Sequence, residues 1–205
     1  MNGTKIQFSV AEMELMNDAD IILTKNNVMR KMKNLFEEIQ RKMSNEANGY
    51  GIDGLPLFTI AGKISRGENY SGLPYLILDY PRQFDGNNIF TIRTLFWWGN
   101  FFSSTLHLSG SAKTKYLSKV EDGYVVLSNG GYYIGVNEDQ WQHHFANYNY
   151  RNIKELSKEI FVEHCRKNDH IKIAAKNPLK DLNIAANDLL NNWKSFISLL
   201  GLVTT

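Results

Sequence analysis

Residues 89–109 read IFTIRTLFWWGNFFSSTLHLS. Two runs rich in β-branched and aromatic residues flank Gly99-Asn100, the pattern of two strands joined by a tight turn. In the first run the even positions are Phe90, Ile92, Thr94, Phe96 and Trp98. In the second they are Phe102, Ser104, Leu106 and Leu108, while Ser103, Thr105, His107 and Ser109 fill the odd positions. A two-residue loop would set even beside odd, putting His107 on a face with Ile92 and Leu106 on a face with Arg93. A loop with an odd number of residues pairs even with even and gives one apolar face and one polar face. A slip of one residue turns every side chain over, so the pattern selects the odd loop. The reading predicts a loop of Gly99, Asn100 and Phe101, with a bulge, and Arg93 opposite His107.

The preceding strand, 73–80, obeys the same parity. Leu76, Leu78 and Tyr80 join the core face, and Tyr75, Ile77 and Asp79 join the other. Asp79, Arg93 and His107 are then expected as a row across three strands, with Thr91, Ser103, Thr105, Ser109, Trp97 and Tyr75 around it. An arginine fork grips a carboxylate or phosphate by paired hydrogen bonds, and a neighbouring aspartate orients it. His107 titrates near neutrality and suits general acid–base work. Trp97 and Tyr75 offer a stacking wall for a sugar or planar ring. The competing reading is a solvent-facing sheet whose cross-strand pairs each contribute a few tenths of a kcal/mol. Trp97 speaks against that reading, because a large aromatic among polar side chains needs a cover. The segment 137–151, with Trp141, Phe145, Tyr148 and Tyr150 around His143-His144, is the candidate cover. Arg66 and Arg82 flank strand 73–80 in loops, which often carry function when hung on a rigid sheet. They are further candidate ligand contacts, with loop-tying salt bridges as the alternative.

Working outward, further strands are predicted at 57–65, 122–128 and 131–136, punctuated by Asp85-Gly86 and Asn129-Gly130-Gly131. Short connections imply antiparallel pairing. Residues 111–119 read as a brief helix or a loop, and His170–Ala174 as a short strand joining the sheet. Ser9 and Glu12 form a capping box that starts a helix near Val10. Val28, Met29, Met32, Leu35, Phe36, Ile39 and Met43 carry helical spacing, predicting a helix over 26–45. Asn152 and Glu155 read as the start of a helix whose stripe ends at Cys165. Asn177-Pro178 and Gly201 bound a helix over 178–200. The order predicts an α+β fold: a single antiparallel sheet of about five to seven strands, meander-like over 57–136 plus 170–174. Long N- and C-terminal helices cover one face, and residues 1–205 form a single domain.

The bulk properties exclude several classes. A chain of 205 residues buries roughly 70% of its unfolded surface, enough for an unstapled core. Net charge is +2, and the basic stretch Arg30-Lys31 to Arg41-Lys42 alternates with Glu37, Glu38 and an apolar stripe, so nucleic acid is not expected. Cys165 is the single cysteine and falls on a packing stripe, so neither a disulfide nor a nucleophile is expected. The N-terminus carries Glu12 and Glu14 where a leader would be apolar, and no run reaches membrane-spanning length. The expectation is a cytoplasmic chain with no membrane contact. Gly49, Gly51 and Gly54 match G-x-G-x-x-G, but a helix precedes and a strand follows, the reverse of a dinucleotide site. His143 and His144 are adjacent and point to opposite faces, so no metal and no cofactor are expected.

Three functions fit these residues. The first is a binding or accessory domain that grips a small anionic or sugar-like ligand on the polar sheet face. The second is a hydrolase or transferase using His107 with Asp79 and Arg93. The third is an interaction or homodimerisation module presenting an exposed aromatic patch at Trp97 and Phe101. Whether the polar face is open separates them.

Overall fold

A computed structural model describes residues 5–179 and 182–203. Seven antiparallel strands form one open sheet, β1 (Lys63–Tyr70), β2 (Leu73–Asp85), β3 (Asn88–Trp97), β4 (Phe101–Ser109), β5 (Tyr133–Gly135), β6 (Tyr150–Asn152) and β7 (His170–Pro178). Their spatial order is β1-β2-β3-β4-β7-β5-β6. Six helices accompany them among the described residues: α1 (Val10–Asn17), α2 (Ala19–Gly49), α3 (Gly110–Asp122), α4 (Tyr124–Asn129), α5 (Lys158–Lys167) and α6 (Leu182–Leu199). The architecture is α+β, with one antiparallel sheet and long helices at both ends of the chain.

The even-numbered face is the main core. Leu76, Leu78, Phe90, Ile92, Phe102, Leu106, Ile171 and Ile173 are buried there. The stripe Met29, Met32, Phe36, Ile39 and Met43 fastens α2 over it, and Leu189, Trp193 and Phe196 fasten α6. Trp193 stacks on Tyr80 at 6.2 Å and donates its indole N–H to the Tyr80 carbonyl at 3.0 Å. Phe90 meets Tyr116 of α3 at 5.5 Å, while Phe161 and Cys165 bring α5 into the same cluster. Each buried aliphatic or aromatic side chain contributes about 1.5–3 kcal/mol, so this layer dominates stability.

Several expectations need correction. The predicted strand over 57–65 begins only at Lys63, and the residues before it are turns. Residues 122–128, predicted as a strand, are the end of α3 and the start of α4. Val125 and Val126 are exposed and Leu127 is buried, a helical rather than an alternating pattern. Asn152 caps a single 3-10 turn, Ile153–Glu155, and α5 starts later, capped by Ser157. Pro178 closes β7 opposite Phe101 instead of opening α6. The sheet is also not a simple meander. The chain leaves β4 and returns so that β7 inserts between β4 and β5.

The hairpin keeps the predicted parity with a shifted loop. Trp97 pairs with Phe101, leaving Trp98, Gly99 and Asn100 as the loop. Gly99 adopts φ +70° there, a conformation glycine reaches without strain. Phe101 stays in the strand because its ring packs on Trp97 at 5.4 Å and on Phe145 at 5.1 Å. Arg93 therefore faces Thr105, and His107 faces Thr91. Asp79 pairs with Arg93 as expected, and the register of β2 shifts between Asp79 and Arg82.

Candidate functional site

The odd-numbered face has two halves. Near the hairpin tip, Ile77, Leu95, Trp97 and Phe101 form a small second core with Tyr70, Tyr75 and Phe145. Trp97 is 8% and Phe101 4% exposed, so neither forms the exposed aromatic patch expected of an interaction module. Trp97 donates to the Tyr70 carbonyl at 3.1 Å, and the Tyr75 ring lies over Gly67, where an added Cβ would come within 2.2 Å of it. A side chain at 67 would thus have to displace the Tyr75 ring from this position.

The other half is polar and equally buried. Asp79, Thr91, Arg93, Ser103, Thr105, His107, Ser109, His170 and Lys172 all lie there with little exposure. Arg93 makes a two-pronged pair with Asp79, Nε to Oδ1 at 2.8 Å and Nη2 to Oδ2 at 2.9 Å. Thr91 donates to the same carboxylate at 3.2 Å. His107 Nε2 lies 2.9 Å from Gln140 Oε1. Its bond goes to that amide and not to Asp79, whose oxygens are taken by Arg93 and Thr91. The three residues share a face but do not form a carboxylate–imidazole relay.

What buries this half is a loop of residues 136–149. Its ends meet where Val136 N–H donates to the Asn149 carbonyl at 2.8 Å, the arrangement of an Ω-loop. Within it Asp139 accepts from the Trp141 N–H at 2.9 Å and the Gln142 amide at 2.6 Å. The Tyr70 hydroxyl accepts from the N–H groups of His143 at 2.7 Å and His144 at 3.1 Å, tying the loop to β1. Trp141 lies over the Arg93 guanidinium at 5.7 Å and meets the His107 ring at 5.5 Å. Phe145 stacks on Tyr150 at 4.7 Å. The loop is a strap, and Gln140, Trp141 and Gln142 are the residues that press on the polar half.

Lys172 is the residue that the sequence reading overlooked. It sits opposite His107 across β4 and β7, 2% exposed. Its ammonium donates to the Gln142 carbonyl and lies 4.9 Å over the Tyr150 ring. Among the described residues no carboxylate lies within ion-pairing distance of it. Burial, together with the nearby Arg93 charge, lowers its pKa to about 7. Burial likewise pushes His107 down to about 3 and His170 to about 4, both further lowered by the Lys172 charge. These imidazoles are neutral near pH 7, so His107 is a hydrogen-bonding group rather than a proton shuttle in this state. Four buried side-chain polar atoms among the described residues have no hydrogen-bond partner: Asn149 Oδ1 and His170 Nε2 here, and the Thr94 and Ser104 hydroxyls on the opposite face. The alternation His170-Ile171-Lys172-Ile173 signals a strand with one polar face. What it could not show is the neighbour of that strand.

Tyr150 adds a buried phenol hydrogen-bonded to Thr105. Arg66 and Arg82 stand apart from this cluster. Arg66 pairs with Glu68 at 2.7 Å, and Glu68 also holds Lys25, while Arg82 donates to the Ala61 carbonyl at 2.9 Å. Both lie in strands rather than in the expected loops, Arg66 in β1 and Arg82 in β2; Arg66 pairs within its own strand, and Arg82 ties β2 to the segment before β1 without a salt bridge. Cys165 is buried, and its thiol is pushed up to about 12 by desolvation. No set of three or more His, Cys, Asp or Glu side chains placed to hold a metal occurs among the described residues. No helix among them is long and apolar enough to cross a membrane.

A groove of about 780 Å³ opens beside the strap, lined in part by Ser109, Lys113, Gln140, Lys167 and His170. Gln140 and His170 belong both to this groove and to the shell around His107, whose ring lies 6.0 Å from that of His170. Ser109 and His170 of the polar half thus line this groove themselves, beside Gln140 of the strap. No protein-family model, no curated protein and no solved structure matches this chain.

Proposed function

We propose that this chain binds a small anionic ligand, such as a carboxylated or phosphorylated sugar, on the polar half of the sheet beneath the 136–149 strap. The observation that carries the reading is Lys172. A buried ammonium that the Asp139 carboxylate reaches only from beyond ion-pairing distance is costly, and such groups cluster at sites where an incoming charge relieves them. A ligand anion would complete what Gln142 and Tyr150 leave open. Arg93, already oriented by Asp79, supplies a second cationic fork, and Trp141 supplies a wall. His107, Thr105 and Ser103 offer hydrogen bonds to hydroxyl groups, and the groove beside Gln140 and His170 is the way in.

The test is a thermal-shift screen against carboxylates, phosphate esters and sugar acids. A ligand at about a hundred times its Kd stabilises by roughly 2.7 kcal/mol. Lys172→Met is expected to abolish the response to any hit. The same variant is expected to raise the stability of the free protein at pH 7, because replacing an unpaired buried charge by an apolar side chain relieves desolvation. A hit whose shift survives Lys172→Met, or a screen of these classes without a hit, removes the basis of the reading.

The pH dependence has a definite sign. The folded pKa of Lys172 is about 7 against an ordinary 10.5, so across that window the unfolded chain holds a proton the folded chain lacks. The contribution of this group to stability therefore rises with pH from about 7 to 10.5, and the full destabilisation is present below 7. An anion requires the ammonium form, so its affinity should fall roughly tenfold per pH unit above 7. Titration calorimetry at pH 7, 8 and 9 checks it, and a flat profile contradicts the role of Lys172.

A further inference from the structure

The N-terminal arm is the other part of the molecule that its own fold leaves unexplained. Residues 5–24 are exposed throughout, and no residue of α1 is buried. An eight-residue helix is marginal in water by itself, even with the Ser9–Glu12 capping box that starts α1. Yet Phe8, Val10, Met13, Met16, Ile22 and Leu23 are each 45–76% exposed, and Leu15 and Ile21 bring the large apolar side chains between 8 and 23 to eight. Ile22 stands seven residues before Met29, with Phe36 and Met43 following at the same interval. The stripe that seats α2 on the sheet thus continues to Ile22, which is exposed among the described residues, in the spacing that seats one helix on another. At the root of the arm Ile21, Leu73, Pro74 and Trp98 line a mainly apolar groove of about 570 Å³.

We infer that this arm is the interface of a symmetric dimer, in which α1 and the start of α2 pack against α2 of a second copy. Two observations choose that occupant. The first is area. A standard interface takes about 800 Å² from each partner, and about 65% of it is apolar in homodimers, or roughly 500 Å². Eight large apolar side chains about half exposed present an apolar area on the order of 500 Å². The second is charge. Residues 8–24 carry Glu12, Glu14, Asp18 and Asp20 and no basic residue. The exposed Arg30, Lys31 and Lys33 follow on the next turns of α2. A two-fold, antiparallel arrangement sets each acidic arm on the basic turns of its partner, twice over. The same carboxylates would be repelled by an anionic bilayer, the other surface an apolar helix could cover.

Sedimentation equilibrium of the full chain from about 1 to 100 µM is expected to give twice the 23.5 kDa chain mass. Met13→Glu/Met16→Glu touches no buried residue, so the variant should stay folded, with the near-ultraviolet circular dichroism of the parent and a cooperative unfolding transition whose midpoint falls only by the lost dimer linkage. It should weaken the dimer at least about thirtyfold, the loss expected at a central apolar contact. Glu14→Lys/Asp20→Lys and Arg30→Glu/Lys31→Glu should each dissociate alone, and mixing the two should restore a heterodimer. A parent that stays monomeric at 100 µM overturns the inference, as does a dimer indifferent to Met13→Glu/Met16→Glu. A monomer that binds phosphatidylcholine–phosphatidylglycerol vesicles through the arm overturns it in favour of a lipid surface. Failure of the mixed charge variants to pair overturns the antiparallel arrangement.

Discussion

On one face of the sheet Leu78, Ile92, Leu106 and Ile173 lie beneath helices. On the other, Asp79, Arg93, His107 and Lys172 lie beneath an irregular strap. The two layers are buried to a similar depth, but different forces hold them. The helix-covered face excludes water from hydrocarbon, and its burial is favourable for nearly every residue, the buried Thr94 and Ser104 hydroxyls excepted. The strap-covered face withdraws charges and imidazoles from water, and only part of that cost is offset by the Asp79–Arg93 pair and the bond between His107 and Gln140. Burial alone therefore does not mark a core. The face that opposes folding is the one whose composition needs a reason beyond folding.

Acid should separate the two faces most strongly. His107 and His170 have folded pKa values near 3 and 4, below the ordinary 6.5, so the unfolded chain takes up protons first as pH falls. The contribution of these two histidines to stability is then fully present above about 6.5 and is lost toward 4, at roughly 1.4 kcal/mol per pH unit for each. Urea unfolding at pH 7, 6 and 5 should show this slope, and His107→Gln should remove its share. A slope unchanged by His107→Gln would mean that the strap face does not hold a neutral imidazole.

Trp193→Ala probes the opposite face. It removes the indole that stacks on Tyr80 and bonds its carbonyl, and it should cost about 3–5 kcal/mol with little pH dependence. Asp79→Ala leaves Arg93 uncompensated and should cost about 3 kcal/mol. The double change Asp79→Leu/Arg93→Met should recover most of that loss in the same unfolding assay. If the double variant is as unstable as the single one, the pair is a structural keystone and the comparison of the faces fails. The smallest effect concerns a polar intrusion into the helix-covered face. Thr94 is buried there with no partner for its hydroxyl, so Thr94→Val should stabilise by about 1 kcal/mol, read as a raised denaturation midpoint.

The hairpin shows how far the sequence is legible. The alternation in Phe90, Ile92, Phe96 against Ser103, Thr105, His107 sorts each residue to its face, because side-chain period and burial are both local properties of a strand. Asp79 beside Arg93 follows from the same rule. The register does not follow, because loops of 98–100 and 99–101 preserve the same parity. The choice between them rests on Phe101 packing against Phe145, which is 44 residues away in the chain. Residues 122–128 carry a strand pattern although they are helical, because two adjacent valines satisfy it as well as one exposed helix face does. Trp97 pointed to a cover, and the 137–151 segment supplies it. The pattern did not signal the depth at which the strap buries Arg93.

By itself the sequence determined the α+β class, the parity of the central strands, the seats of α2 and α6 and the polar half-face of Asp79, Arg93 and His107. Each of these depends on spacing along a few consecutive turns or strands. Tertiary structure decided that β7 lies beside β4, bringing Lys172 opposite His107, and that the strap closes over both. Those facts depend on contacts between segments roughly thirty to eighty residues apart, which chain topology fixes and local periodicity does not contain.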